Sequence, residues 1–215
     1  MRQKARTIRR ILPPVLITLA GCFSLGRNTP PLQHYVLSAA RPPQDQPVSR
    51  DLARVTVGVR RLELASYLET PFIVVRRGAQ RITFSEFHRW GEDLGGGIAR
   101  SVAGYLAARA PFPRLDVAPW PLGAQHDYLI HVHVLRFEGM APEASSAQEG
   151  EVHVLATWQV IRQQDGEVVG QGTTDYRKGG WRIGDYASLV ALLDSGLNAL
   201  AADLATALQN LGGQP

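Results

Sequence analysis

The sharpest chemistry in this chain of 215 residues belongs to its single cysteine, Cys22. The residues before it say what its thiol is for. Leu19-Ala20-Gly21-Cys22 closes an apolar run from Ile11 to Leu19, and Arg2, Lys4, Arg6, Arg9 and Arg10 precede that run. A basic leader, a short apolar segment and a small-residue cleavage site make up a secretory signal. The leader's cations stay on the cytoplasmic side. Here a thiol follows the small pair, where it serves as acceptor for a diacylglycerol. Cleavage before Cys22 then exposes an amine for a further acyl chain. This is the box of bacterial lipoproteins. The competing reading, a free cysteine ending a short membrane span, fits poorly, because the run is well below the roughly 18 residues a span needs and Pro13-Pro14 interrupts it. Arg9-Arg10 suggests twin-arginine export, but its flanks match that signal badly, so the general secretory route is expected.

Other reactive residue types were weighed against plainer uses. His131 and His133 are two apart on a strand and point the same way, and with His153 on the next strand they suggest a zinc site. No carboxylate or cysteine is fixed near them in sequence, so a half-exposed polar sheet face is the expectation and no metal is assigned. Ser, His and Asp are all present without the strained Gly-x-Ser-x-Gly turn of a nucleophile. Gly95-Gly96-Gly97 opens a helix but lacks the strand–GxGxxG or GxxxxGK[ST] context of a phosphate cradle. The residues therefore point to a protein that is not an enzyme and takes no cofactor. Of the four tryptophans, Trp158 reads as core. Trp181, in Lys178-Gly179-Gly180-Trp181-Arg182, falls in the connection into the last helix, where exposure is easier. Arg177, Trp181 and Arg182 are the candidate partner-binding residues, since Trp and Arg dominate interface hot spots.

Charge removes another class of function. The chain has 23 basic and 19 acidic residues, a formal charge of +4. Five of the basic and none of the acidic residues lie in 1–21, so the remainder carries 18 against 19. The high isoelectric point belongs to the leader and gives no footprint for nucleic acid. With its cysteine committed to lipid, the domain has no disulfide and is held by its core. About 185 residues suffice for that.

Residues 22–32 read as a lipidated tether of turn formers without periodicity. About ten flexible residues span roughly 18 Å, which keeps the domain close to the membrane, and two or three acyl chains make the attachment permanent. Phe23 replaces the aspartate that retains lipoproteins at the inner membrane, so the periplasmic face of the outer membrane is expected. Beyond the tether the patterns are those of an α/β domain. Tyr35-Val36-Leu37 is a short strand, followed by a Pro- and Gln-rich stretch from Arg41 to Pro47. Val55 to Val59 alternates with period two. Phe72–Val75 and Arg81–Phe84 flank Arg77-Gly78-Ala79-Gln80 as a hairpin. Leu94, Ile98, Val102, Tyr105 and Leu106 fall at helical spacing, although each glycine of 95–97 costs about 1 kcal/mol relative to alanine. Leu115 to Ala118 reads as a strand before the Pro119-Trp120-Pro121 turn.

In the second half, Tyr128, Ile130, Val132 and Val134 share one strand face, with Arg136 as its continuation. Leu129, His131, His133, Leu135 and Phe137 share the other. Gly139 to Gly150 reads as an exposed loop. Glu151–Ile161 and Val168–Tyr176 are joined at Gln164-Asp165-Gly166 as a hairpin. Asp185 caps a last helix with the stripe Tyr186, Leu189, Val190, Leu193, Leu197, Leu200, Leu204, Leu208 and Leu211, ended by Gly212-Gly213.

The lipobox, Tyr35-Val36-Leu37-Ser38, Val57-Gly58-Val59, Leu68-Glu69-Thr70-Pro71, Val75-Arg76, Phe87-His88-Arg89-Trp90-Gly91-Glu92-Asp93-Leu94 and the Ala/Leu-rich C-terminal helix occur in that order. Together they resemble the ABC-type transport auxiliary lipoproteins, the group typified by paraquat-inducible protein C, over nearly the whole chain after the leader. The resemblance implies a single α+β domain, residues 33–213, with a mixed β-sheet packed by two main helices, which agrees with the patterns above. It also implies a non-enzymatic auxiliary or docking component of an intermembrane lipid transport system. Its partners would be an MCE-domain periplasmic protein and the associated inner-membrane transporter, with self-association into a homo-oligomer. Only Cys22 carries over from the family as a site residue. The alternative function is a lipid-anchored structural or assembly factor of the envelope without lipid cargo. Cys22→Ala is expected to abolish labelling by a palmitate analogue and to leave an uncleaved precursor of higher mass on a gel; normal labelling of the variant would remove the lipoprotein reading.

Overall fold

In a computed structural model, residues 30–38, 52–144 and 146–212 are described. The signal segment, Cys22, most of the tether and the Pro- and Gln-rich stretch lie outside them. The described residues form a nine-stranded mixed sheet with two helices, the α+β architecture expected.

One strand organises the sheet. β7, Tyr128–Ala141, is antiparallel to β8, Glu149–Arg162, over its whole length. Along its other edge it serves three parallel neighbours in succession. β2, Thr56–Val59, pairs through Val57–Val59 with Tyr128–Ile130; β3, Glu63–Leu64, pairs with His133 and Val134; and β4, Phe72–Arg77, pairs through Val75–Arg77 with Gly139–Ala141. β2 carries β6, Arg114–Val117, as its outer neighbour. β4 carries β5, Arg81–Trp90, and β5 carries β1, Gln33–Tyr35. On the far side β8 carries β9, Val168–Arg182.

The alternating patterns are strands because one face of this sheet is buried. Ile130, Val132, Val134, Val152, Val154, Ala156 and Val160 are all inaccessible to solvent. The helices α1, Leu94–Ala107, and α2, Tyr186–Gly212, pack against each other over that core, α2 against β8 and β9 and α1 beside β6. The Asp93 carboxylate accepts from the Gly96 N–H at 2.8 Å and offsets the weak start that three glycines give α1. Asp185 caps α2 in the same way, accepting from Ser188 N–H at 3.0 Å. Leu189, Leu193, Leu197, Leu200, Leu204 and Leu208 are fully buried, closed in by the sheet and α1, while Tyr186 and Leu211 at the ends of the stripe are partly buried. α2 is long and apolar enough to cross a membrane by length and composition, but here its apolar stripe is used on the sheet. A Cβ at Gly196 would stand 2.5 Å from Val154 Cγ2, so only glycine allows α2 to lie this close to β8.

The structure corrects the sequence reading in four places. β1 is Gln33–Tyr35 and Val36 is exposed, because the register with β5 ends at Trp90 and Gly91 N–H donates to the Tyr35 carbonyl. β5 extends through His88 to Trp90, as far as its pairing with β1 and β4 reaches. The loop assigned to Gly139–Gly150 is shorter at both ends: β7 runs to Ala141 and β8 begins at Glu149. Lastly, a bulge places Val134 opposite Ala156 and Arg136 opposite Leu155, so Leu135 is an extra residue. Beyond it the faces of β7 exchange. Phe137 turns into the core, 5.8 Å from the Trp90 ring, and Arg136 turns away from it.

Leu197→Ala and Leu200→Ala are each expected to lower stability by about 2–5 kcal/mol, because both side chains are fully buried and truncation leaves a cavity. Urea denaturation measures this, and a loss below about 1 kcal/mol would mean that the stripe is not closed in the folded chain.

Candidate functional site

Cys22 lies outside the described residues. The partner-binding candidates do not stay together. Trp181 is completely buried and is removed from any partner surface. The Lys178-Gly179-Gly180-Trp181-Arg182 segment is not a connection but the end of β9, with Trp181 opposite Gly150 and Glu149 opposite Arg182. A bulge there turns the indole inward over Gly139 and Gly150. A Cβ at Gly139 would lie 2.8 Å from the ring, so the slot exists because both residues are glycine. The indole N–H donates to the Asp185 carbonyl at 3.0 Å, which ties the sheet to the first turn of α2. Arg177 and Arg182 remain exposed. Arg177 reaches Asp175 at 3.4 Å and Glu151 at 3.9 Å, whereas Arg182 has no ion-pair partner among the described residues.

The sheet face away from the helices is polar. His131, His133, Thr157, Gln159, Gln171 and Thr173 line a shallow depression of about 500 Å³, with Glu63 at its rim 3.7 Å from His131 Nε2. His153 shares the face but not the site. His133 stands opposite Thr157, and His153 is four residues further along β8, about 13 Å away at strand rise. Its Nε2 is 2.8 Å from Asp175 Oδ1. Among the described residues no group of three His, Cys, Asp or Glu could hold a metal ion.

Sequence reasoning missed a charged cluster on this face. Glu138 is fully buried and accepts from Arg76 Nε at 2.5 Å and Nη2 at 3.3 Å; Arg136 Nη1 stands 3.4 Å away. Tyr67, in the turn after β3, lies over the Arg76 guanidinium at 5.6 Å and donates to the Leu135 carbonyl at 3.0 Å. Burial, together with the Glu138 charge, pushes the Tyr67 phenol up to about 12. The Leu135 bulge aims Arg136 and Glu138 at Arg76, and nothing in the local sequence of β7 announces it.

A family model described as the ABC-type transport auxiliary lipoprotein component matches residues 35–205. The chain belongs to this family. Two solved structures share its fold. One is a Xanthomonas campestris protein assigned to family DUF330, 16% identical, with a TM-score of 0.65, covering 77% of this chain and 92% of the other. The second is an uncharacterised protein, 17% identical, with a TM-score of 0.58, covering 83% and 99%. No curated protein matches the chain in sequence.

In this auxiliary lipoprotein domain the charge around His153 has a measurable consequence. His153 is buried, and burial is the largest reason its pKa lies below the ordinary value of about 6.5; repulsion from Arg177 and Arg136 lowers it too, while Asp175 opposes the shift. His88, stacked on Tyr186 at 4.0 Å, is lowered by burial too. Just below about pH 6.5 the unfolded chain therefore binds protons that the folded chain refuses. The contribution is whole above that pH and is lost as the pH falls through the lowered folded pKa. Thermal melts are expected to hold steady above about pH 7 and to drop toward pH 5, less steeply for His153→Gln. An unchanged slope in the variant would assign the effect to other groups.

Proposed function

We propose that this protein is the lipid-anchored auxiliary component of an MCE-type intermembrane lipid transport system. Residues 1–21 direct export and are removed, residues 22–32 tether the acylated Cys22 to the periplasmic face of the outer membrane, and residues 33–213 form the docking domain. Its partner is the MCE-domain periplasmic protein served by an inner-membrane transporter. The domain acts as an adaptor, without catalysis or a cofactor. The observation that carries this reading is the family match over residues 35–205, whose description joins a lipoprotein to ABC-type transport. The lipobox at Cys22 and the basic leader support the anchor.

The exposed end of β9 is the docking surface in this reading, with Arg182, which has no ion-pair partner among the described residues, at its tip and Arg177 five residues back along the strand. The domain after the leader is nearly neutral, so long-range steering is weak and a local contact has to hold the partner. Trp181 contributes only by fixing the strand that presents these arginines. The test is co-purification of the tagged protein with the MCE-domain protein encoded in the same genome. Wild type is expected to retain the partner and Arg182→Glu to reduce recovery about tenfold or more, since like charges placed at an interface cost several kcal/mol. Full recovery by the variant would move the docking surface elsewhere. No recovery by folded wild type would favour an assembly factor of the envelope without lipid cargo.

A further inference from the structure

Five large apolar side chains are exposed among the described residues, and three of them gather at one corner of the sheet: Leu32 at 44%, Val36 at 59% and Phe84 at 48%. Register explains how they meet. Arg76 turns toward Glu138 on the face away from the helices, so Val74 and Phe72, two and four residues back along β4, share that face. Phe84 stands opposite Val74, its ring 6.3 Å from that of Phe72. Arg89 stands opposite Phe72 and lays its guanidinium over the same ring at 4.7 Å. On β1, His34 pairs with Arg89. Val36 follows on the same side, where a Cβ at Gly91 would lie 3.2 Å from its Cγ1.

The charge at this corner is unmatched. Arg89 makes no ion pair among the described residues, and its buried Nε has no hydrogen-bond partner. An arginine held on an aromatic ring beside exposed Phe, Val and Leu suits a surface that offers phosphate at one level and hydrocarbon just beneath it. A phospholipid headgroup layer is such a surface, and the tether brings the corner to it. Leu32 is the last residue before β1, and ten residues separate it from Cys22. That length spans roughly 18 Å as a flexible coil and at most about 36 Å drawn out. A patch held so close needs little affinity of its own, because its effective concentration at the surface is already on the order of millimolar.

We propose that Leu32, Val36, Phe84 and Arg89 form a second membrane contact, by which the domain rests on the phospholipid surface that carries its anchor. The inference rests on Cys22 being acylated. What it adds is orientation, which a flexible tether alone leaves free. The sheet runs from β1 through β5, β4, β7 and β8 to β9. With the β1 corner on lipid, five strand spacings, about 24 Å, hold the exposed end of β9 away from it and open to the periplasm.

The experiment is fluorescence quenching on the acylated protein in vesicles of phosphatidylethanolamine and phosphatidylglycerol, with some phosphatidylcholine that carries a nitroxide high on its acyl chain. Cys22 is the only cysteine and is blocked by lipid, so His34→Cys and, at the far edge, Val168→Cys each take a single bimane label. The His34→Cys label is expected to be quenched at least about threefold more than the Val168→Cys label. Adding Phe84→Ser should bring it down toward the far-edge level. Phe84 is half exposed, so the fold survives the change, which a thermal melt checks. Equal quenching at the two edges, in protein that floats with the vesicles, would overturn the proposal and leave the anchor standing. Protein that does not float would overturn the anchor reading and this inference with it. A His34→Cys label shielded from aqueous iodide but not quenched by lipid would assign the corner to a protein surface and overturn the proposal as well.

Discussion

The backbone ladder of β7 is the constraint on which the rest depends. A strand has only two edges, and β7 gives one entirely to β8 and divides the other among β2, β3 and β4. Each of these takes a few rungs and then must turn away so that the next can pair. The short parallel strands and the turn at Ser66–Leu68 follow from that sharing. The Leu135 bulge belongs to the same constraint. It sits just past the rungs used by β3 and exchanges the faces of β7 before β4 arrives, so that Phe137 and Glu138 point in opposite directions from those their spacing suggests.

That exchange creates a buried charge pair whose role differs from that of the core. A buried ion pair adds little net stability compared with apolar residues of the same shape, because desolvating both charges offsets their attraction. Losing one partner is another matter, since the remaining charge stays buried. Arg76 on β4 and Glu138 on β7 therefore make one register of these two strands acceptable and its neighbours costly. Parallel strands slide more readily than a tight hairpin does, and here a charge fixes their alignment. The apolar face beneath, filled by the α2 leucines, supplies the bulk of the burial and would tolerate more than one register.

Most of this architecture was legible. The period of the α2 stripe, the alternation along β7 and β8 and the Phe72–Phe84 hairpin are local patterns, and local patterns survive folding when one face is buried. What was not legible depended on pairing at a distance. A bulge is a mismatch between two strands and leaves no mark on either alone. Arg76 and Glu138 are 62 residues apart. Trp181 looked exposed because two glycines precede it, yet those glycines belong to a strand bulge, and the slot that takes the indole is made by Gly139 and Gly150 on other strands. Arg177 and Arg182, the other two residues read as partner-binding, are exposed.

The sharing of β7 also sets a timetable. β2, β3 and β4 precede it in the chain, so as the polypeptide emerges from its N-terminus β2 has only β6 and β4 only β5 to pair with, and β3 has no strand, until residues from Tyr128 onward appear. The β4–β5 hairpin can close by itself, and β7, β8 and β9 form a meander of neighbouring antiparallel strands that can assemble quickly. The sheet therefore grows backwards. The C-terminal meander forms the template, and the earlier strands dock onto its waiting edge. Until then the apolar residues of the N-terminal half stand exposed, and any factor that shields them in transit has to hold them until the last third of the chain has arrived.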